Sequence, residues 1–313
     1  MPPKKTILRK NPVEKNLDFI LEVLSNQGTV FSRVSLIQVL TTLKAEGVIR
    51  YTFGYERFLN ALIELEVLEK VKFTLPNHSI TSRFVLIKGE HTAVHPFEIA
   101  LSLLPNSYLS HYSALFLNDL TNNIPKEIYI NREQSKKPVD PDNFLTQKKI
   151  DYAFNRPMRK TNQIATFSYK GKEYLVHMLN GKHTNNLGVV MKKSYLLSRK
   201  IRVTNLERTL IDCVVRPNYA GGLEEISAAF GNATDDISVN RIVGYLSKLD
   251  YRYPYQNCIA FYMFANEYKE NSLKLILPLL ETELKMYLGY QLINKKLHPE
   301  TNVYYPGNLL SRD

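Results

Sequence analysis

The sequence predicts an α+β protein of two domains, and three observations support this prediction. The chain has 313 residues, which suits about two domains of roughly 100 to 200 residues each. Hydrophobic residues make up 44% of the chain, enough to form packed cores. Short helical patterns and a strand pair fill residues 1–90, strand patterns dominate 91–203, and helical patterns dominate 204–313. We therefore place the boundary between a small and a large domain near residue 90.

Residues 1–90 predict three helices and then a hairpin. The first helix follows from apolar residues at i, i+4, i+7, i+8 and i+11, namely Val13, Leu17, Ile20, Leu21 and Leu24. The second helix begins after the N-cap candidate Ser32. Four of its apolar residues are expected to face the core, namely Val34, Ile37, Leu40 and Leu43. The third runs from about 55 to 65, with Phe58, Leu62 and Leu65 inward. Strands at 68–74 and 81–87 flank a Pro-Asn turn.

This order of elements is typical of a winged helix-turn-helix, whose third helix enters the major groove of DNA. Outward-facing Arg57 can pair with guanine and Asn60 with adenine. Phosphate contacts are expected from polar residues around that helix and along the hairpin, namely Thr52, Tyr55, Lys70, Lys72, Asn77, His78 and Arg83. Such modules also serve as protein-interaction domains, and Glu56 and Glu64 on the same face would repel phosphates.

Positive charge is concentrated in the first two thirds of the chain. The net charge is +11, with 13 basic and 9 acidic residues in 1–90, 16 and 8 in 91–200, and 12 and 13 in 201–313. A basic arm at the start is a candidate for backbone contact with nucleic acid, or else a solvated tail, and consists of Lys4, Lys5, Arg9 and Lys10. A second group of candidates interleaves with Tyr152 and Phe154, and comprises Lys148, Lys149, Arg156, Arg159 and Lys160. This second group fits a nucleic-acid backbone, a protein partner or a solvated face.

The last third predicts a series of helices. In the first of them, apolar residues recur on one face (Leu206, Leu210, Cys213 and Val214), and Glu207, Arg208 and Asp212 are expected on the rest of its surface. Further helices are predicted over 222–230, 239–249, 254–266 and 271–280, and closing strands over 285–290 and 302–305.

Two segments carry a family resemblance. Residues 109–130 contain Ser110-His111-Tyr112-Ser113-Ala114-Leu115, and residues 203–230 contain a helix, a Pro-Asn turn, a Gly-Gly turn and a second helix. Together they resemble the AbiEi antitoxins of bacterial AbiE abortive-infection systems, most strongly at 110–121 and 204–222. The residues that match the family's motifs, Ser110, His111, Arg208, Thr209 and Asp212, are expected to be structural.

The resemblance implies a winged-helix domain joined to a larger antitoxin domain. It also implies two activities: repression of the protein's own operon through inverted repeats, and neutralisation of an AbiEii-type nucleotidyltransferase toxin, for which a stable complex is not required. A protein that is monomeric in solution and pairs cooperatively on double-stranded operator DNA fits this description.

Motifs for catalysis and cofactor binding are missing from the sequence. It has no Walker A, G-x-G-x-x-G, G-x-S-x-G or H-E-x-x-H pattern, so we expect no catalytic residues, cofactor or metal. Two cysteines in helical segments and the lack of an 18-residue apolar run suggest a cytoplasmic protein that does not enter membranes. Two alternatives remain: a free-standing regulator with a ligand-sensing domain, and a metal-dependent nuclease or transferase using carboxylates such as Glu207, Asp212 and Glu224.

Overall fold

A computed structural model describes residues 11–89, 93–136, 138 and 144–310. Its helices are α1 Pro12–Lys15, α2 Leu17–Gln27, α3 Arg33–Ala45, α4 Tyr55–Glu64, α5 Pro96–Leu101, α6 His111–Leu117, α7 Gln147–Phe154, α8 Leu206–Val215, α9 Leu223–Asn232, α10 Val239–Leu249, α11 Tyr255–Ala265 and α12 Glu270–Ile276, with short 3-10 helices at Pro217–Tyr219 and Leu277–Leu279. Its strands are β1 Val30–Phe31, β2 Leu68–Thr74, β3 Ile80–Leu86, β4 Tyr108–Leu109, β5 Glu127–Glu133, β6 Ile164–Tyr169, β7 Lys172–Gly181, β8 Val189–Lys192, β9 Ile201–Thr204, β10 Met286–Tyr287, β11 Lys295–His298 and β12 Val303–Pro306. These elements confirm the α+β class.

The chain divides into two compact units. The first comprises Met1–Pro105, Ala165–Leu175 and Lys193–Lys200, and the second comprises Asn106–Ile164, Val176–Lys192 and Ile201–Asp313. The first unit is therefore wider than the predicted segment 1–90, because later parts of the chain return to it. Among the described residues, no helix is long and apolar enough to cross a membrane.

The first unit contains α1 to α5 and the strands β1, β2 and β3, with most of β6. Strand β1 pairs antiparallel with β3, β3 with β2, and β2 with β6, where Phe73 lies opposite Phe167. The predicted first helix is interrupted, since Asn16 ends α1 and its side-chain amide donates to the Pro12 carbonyl at 2.8 Å. Ser32 caps α3 as predicted: its hydroxyl accepts from the Ser35 amide at 3.1 Å, while Ser35 accepts from the Ser32 amide at 2.8 Å.

The inward face of α3 differs from the prediction. Val34 is 66% exposed and Ile37 41%, so neither packs in the core. Leu40 and Leu43 are buried as predicted, and the other buried residues of α3 are Leu36 and Val39. These four recur at i, i+3, i+4 and i+7, so they form one continuous stripe that packs better than the predicted set.

Glu98 links the returning segment 193–200 to the rest of the first unit. This buried carboxylate accepts from the backbone amides of His95 at 3.1 Å and Ser198 at 3.0 Å, and from the hydroxyls of Thr29 at 3.2 Å and of Ser198. Both carboxylate oxygens therefore have hydrogen-bond donors, as a buried carboxylate requires.

The second unit is built around α8. In this unit β4 lies between β5 and β9, and β9 also pairs with β8. Helix α8 contacts α6, α9, α10 and α11, and its buried residues include Leu210, Ile211 and Cys213. A separate sheet places β12 between β10 and β11, so the two predicted closing strands are present and β11 adds a third.

Two helices in the second unit differ from expectation. The stretch 147–154, predicted only as polar, is the helix α7, in which Ile150 and Phe154 are buried one turn apart. The polar residues of α8 were expected on its surface, yet Glu207, Arg208 and Asp212 are only 1%, 3% and 5% exposed. Their burial is compensated by ion pairs, between Arg208 and Asp212 at 2.8 Å and between Arg241 and Glu207 at 2.9 Å.

Candidate functional site

The outer face of α4 presents the predicted polar residues. Arg57, Asn60 and Glu64 are exposed, while Phe58 and Leu62 are fully buried beneath them. Helix α4 is strongly amphipathic, because its apolar residues recur at helical spacing. The core thus orients the guanidinium of Arg57 and the amide of Asn60 toward solvent on the same side of the helix.

A further cation lies beside α4. The Arg33 guanidinium sits 5.1 Å from the centre of the Tyr55 ring and 3.4 Å from a Glu56 carboxylate oxygen. Tyr55 is half-buried, and desolvation raises the pKa of its hydroxyl, so it remains protonated and able to donate. The negative charge of Glu56 is therefore offset locally, which the sequence did not indicate.

The hairpin presents the other predicted contacts. Thr52 is exposed ahead of α4, and Lys70 and Lys72 are exposed at alternating positions of β2, on the face opposite buried Val71. At its tip Asn77 and His78 are exposed too.

Arg83 differs from the other predicted contacts. It is half-buried and donates to the Ser102 carbonyl through Nε at 3.1 Å and Nη2 at 3.0 Å. Burial lowers its pKa. These donors tie β3 to the chain after α5, so two of the Arg83 guanidinium nitrogens are already engaged within the first unit. The arm Lys4, Lys5, Arg9 and Lys10 lies outside the described residues.

The second basic group of the sequence lines a cavity in the second unit. Lys148, Lys149, Arg156 and Tyr152 border a cavity of about 1360 Å³. The Arg156 guanidinium lies 3.8 Å from the centre of the Tyr152 ring, so the predicted mixture of basic and aromatic side chains is an actual contact. Lys149 donates to the Phe144 carbonyl at 2.7 Å.

A smaller cavity of about 440 Å³ adjoins the first and shares with it Arg159, Lys182, Val215, Arg216 and Tyr251. Lys160 lines only the smaller one, which also receives side chains from α6, β7 and α8. Lys182 and Arg216 are far from the predicted basic stretch in sequence, as is Arg252 of the larger cavity. No local motif marks them, so sequence analysis missed them.

The five family-motif residues form the floor and support of the smaller cavity. The Ser110 hydroxyl lies 2.8 Å from His111 Nδ1, and Thr209 exchanges a hydrogen bond of 2.7 Å with Thr204. His111, Arg208 and Asp212 line the cavity itself. Burial lowers the pKa of His111 to about 4, so its ring is neutral at pH 7. These side chains are thus buried and hydrogen-bonded, but three of them face open space.

Arg208 and Asp212 are joined to several neighbours. Arg208 Nε donates to Asp212 Oδ1 at 2.8 Å, and its Nη1 donates to the Leu187 carbonyl at 2.7 Å and to Thr184 at 3.2 Å. Within the described chain, no group of three His, Cys, Asp or Glu side chains is placed to hold a metal ion.

Comparisons with known proteins bear on the fold alone. No family model and no curated protein matches the chain. A solved structure, the RV2827C protein from Mycobacterium tuberculosis, is similar over 92% of this chain and 90% of its own, with a TM-score of 0.52 and 13% sequence identity. This similarity shows a shared fold across both units.

Proposed function

We propose that the first unit is a winged helix-turn-helix that binds double-stranded DNA, with α4 in the major groove. The supporting observation is the pairing of β1 with β3, at Val30 opposite Val85 and Phe31 opposite Phe84. This pairing gives the order α2, β1, α3, α4, β2, β3, with all three strands in one sheet, which is the arrangement of winged helices. It could not be inferred from the helical and hairpin patterns alone.

In this proposal α4 supplies base contacts and the hairpin supplies phosphate contacts. Arg57 and Asn60 lie three residues apart, close enough on the helix surface to meet neighbouring bases. Lys70 and Lys72 share one exposed face of β2 and carry no ion-pair partner in the described chain. We therefore assign them to backbone contact, along with Arg33 beside Tyr55.

A binding assay with paired variants tests this proposal. Fluorescence anisotropy on DNA from upstream of the gene, with a random duplex for comparison, should show that Arg57→Ala loses about 1–3 kcal/mol on the specific site and loses base preference. Lys72→Ala should weaken both duplexes alike, because phosphates carry no sequence information. The exposed Lys126, in the second unit, provides a charge-matched control: Lys126→Ala should bind as the wild type does.

Salt dependence gives a second readout. Two copies on inverted repeats that neutralise about six to ten phosphates should lose roughly 10³ to 10⁵ in affinity between 50 and 200 mM salt. Equal losses for Arg57→Ala on specific and random duplexes would contradict base recognition by α4.

We further propose that the protein is an autorepressing antitoxin, with the second unit as its antitoxin domain. This proposal rests on the resemblance, and one structural observation favours it. The two matching segments lie against each other: α6 packs on α8, and the Asn118 amide donates to the Thr204 carbonyl and to the Thr209 hydroxyl, both at 3.0 Å. The resemblance therefore describes a single packed region rather than two scattered motifs.

Co-expression tests the antitoxin proposal. If a neighbouring gene encodes a nucleotidyltransferase, its induction should arrest growth, and this chain should restore growth even when Arg57→Ala prevents repression. Arrest that this chain cannot relieve, or a locus without such a gene, would favour a free-standing regulator.

A further inference from the structure

The 440 Å³ cavity of the second unit has an excess of positive charge that the DNA-binding proposal does not use. Among the described residues, its lining includes five cations, Arg159, Lys160, Lys182, Arg208 and Arg216, but one carboxylate, Asp212. Arg208 is already paired with Asp212, and Lys182 donates to the carbonyls of Leu249 and Asp250, both at 2.7 Å. Arg159 and Lys160 have no ion-pair partner in the described chain and are exposed at the edge of the cavity. An anion with several oxygens is the ligand such an edge binds most strongly.

A second observation comes from the floor of the same cavity. Asp212 is 5% exposed, and its Oδ1 accepts from Arg208 Nε. Its other oxygen, Oδ2, is buried and has no hydrogen-bond partner among the described residues. Buried carboxylate oxygens are normally satisfied, so this one calls for a donor that enters the cavity, such as a hydroxyl or amino group.

The cavity also has aromatic walls. Tyr219 is 5% exposed, and the His111 ring meets it edge-on with centroids 5.5 Å apart. The Tyr219 hydroxyl accepts from the Thr161 amide at 2.6 Å, which fixes the ring in place, and Tyr251 lines the cavity as well. Rigid aromatic rings of this kind accommodate planar heterocycles.

We propose that this cavity binds a nucleoside phosphate. The phosphate lies against Arg159 and Lys160, a ribose hydroxyl or base amino group donates to Asp212 Oδ2, and the base packs on Tyr219 or Tyr251. Inorganic phosphate would leave the buried oxygen and the rings without a partner. The volume is within the range of small-molecule sites and suits one nucleotide better than a strand.

Calorimetric titration of the full chain with AMP, GMP, CMP and UMP tests this, with the matching nucleosides and inorganic phosphate as comparisons. At least one monophosphate should bind more tightly than its nucleoside and than phosphate. Arg159→Ala/Lys160→Ala should weaken that binding at least about tenfold, because two charge-assisted contacts are lost. Lys126→Ala/Lys248→Ala removes two exposed positive charges that do not line the cavity, and should bind normally.

Asp212→Asn keeps the shape of the side chain but replaces the carboxylate oxygen Oδ2 that has no partner in the part of the chain that the structure describes. The difference in affinity between the nucleotide and inorganic phosphate should therefore become smaller. If circular dichroism shows that this variant does not fold, the two double variants still test the proposal. The proposal is overturned if no monophosphate binds at millimolar concentration, if phosphate binds equally well, if both double variants lose affinity equally, or if only single-stranded oligonucleotides bind. Helix α4 is unchanged in every variant, so all of them should bind the upstream DNA as the wild type does. The nucleotide-binding proposal and the DNA-binding proposal can therefore fail independently of each other.

Discussion

Removing Arg208 from its buried ion pair with Asp212 should destabilise the second unit by about 3–5 kcal/mol. The two side chains are 3% and 7% exposed, and the nitrogen and oxygen are 2.8 Å apart, so the pair is largely shielded from bulk solvent. Arg208→Met retains much of the side-chain length but leaves a carboxylate buried without its cation. It also removes the donor to the Leu187 carbonyl, which places the expected loss in the upper half of the range.

The double variant Arg208→Met/Asp212→Leu isolates the charge contribution. It removes both charges, so no buried ion is left uncompensated, and only Leu187 and Thr184 lose a donor. Each unmade buried hydrogen bond costs about 1–3 kcal/mol, and apolar replacements recover part of that cost. The double variant should therefore be more stable than Arg208→Met alone.

Urea unfolding followed by circular dichroism gives the free energies of unfolding. Hydrogen exchange of the α8 amides reports on the second unit separately, because a protein of two units need not unfold in one step. A loss below about 1 kcal/mol for Arg208→Met, or equal losses for the single and double variants, would refute the view that the uncompensated buried charge of Asp212 causes the destabilisation.

Two further predictions concern pH and helix capping. Burial lowers the pKa of His111 from 6.5 to about 4, so between these pH values the unfolded chain takes up a proton that the folded chain does not. The free energy of unfolding should therefore be about 3 kcal/mol lower near pH 4 than above pH 6.5. His111→Asn should flatten the stability profile in that window, and an unchanged slope from pH 6.5 to 4 would contradict this assignment. Ser32→Ala removes the hydroxyl that accepts from the Ser35 amide and should lower the stability of the first unit by about 1 kcal/mol in urea unfolding, whereas Ser32→Asp should retain most of it.

The sequence predicted the orientation of helix α4 well because its apolar residues lie on one face. Its apolar residues form one narrow stripe, so Arg57 and Asn60 had to face outward. Helix α3 was harder, since Val34 and Ile37 are apolar residues at helical spacing that lie on an exposed face. Periodicity cannot choose between two apolar faces on one helix; only packing against the rest of the unit does.

Predicting the second unit's cavities required contacts between distant segments. Composition identified the basic stretch around Arg159, but the eight-residue helix α7 has too few turns for a clear periodic pattern. Lys182 follows a strand and Arg216 follows α8, and neither position carries a local signal. Their meeting in one cavity depends on how β7 and α8 pack, which the sequence does not encode in any short window.

The burial of the α8 carboxylates also bears on the nuclease or transferase alternative. Arg208 and Asp212 are at i, i+4, a spacing that brings charged side chains together on solvent-exposed helices, so nothing in the sequence indicated that they would be buried. Glu207 accepts from the Ser238 amide at 3.0 Å and pairs with Arg241, while Asp212 pairs with Arg208. A carboxylate whose charge is offset by an arginine at 2.8 or 2.9 Å attracts a divalent cation less strongly than a free one. Metal-dependent hydrolysis through these groups would therefore require both ion pairs to open.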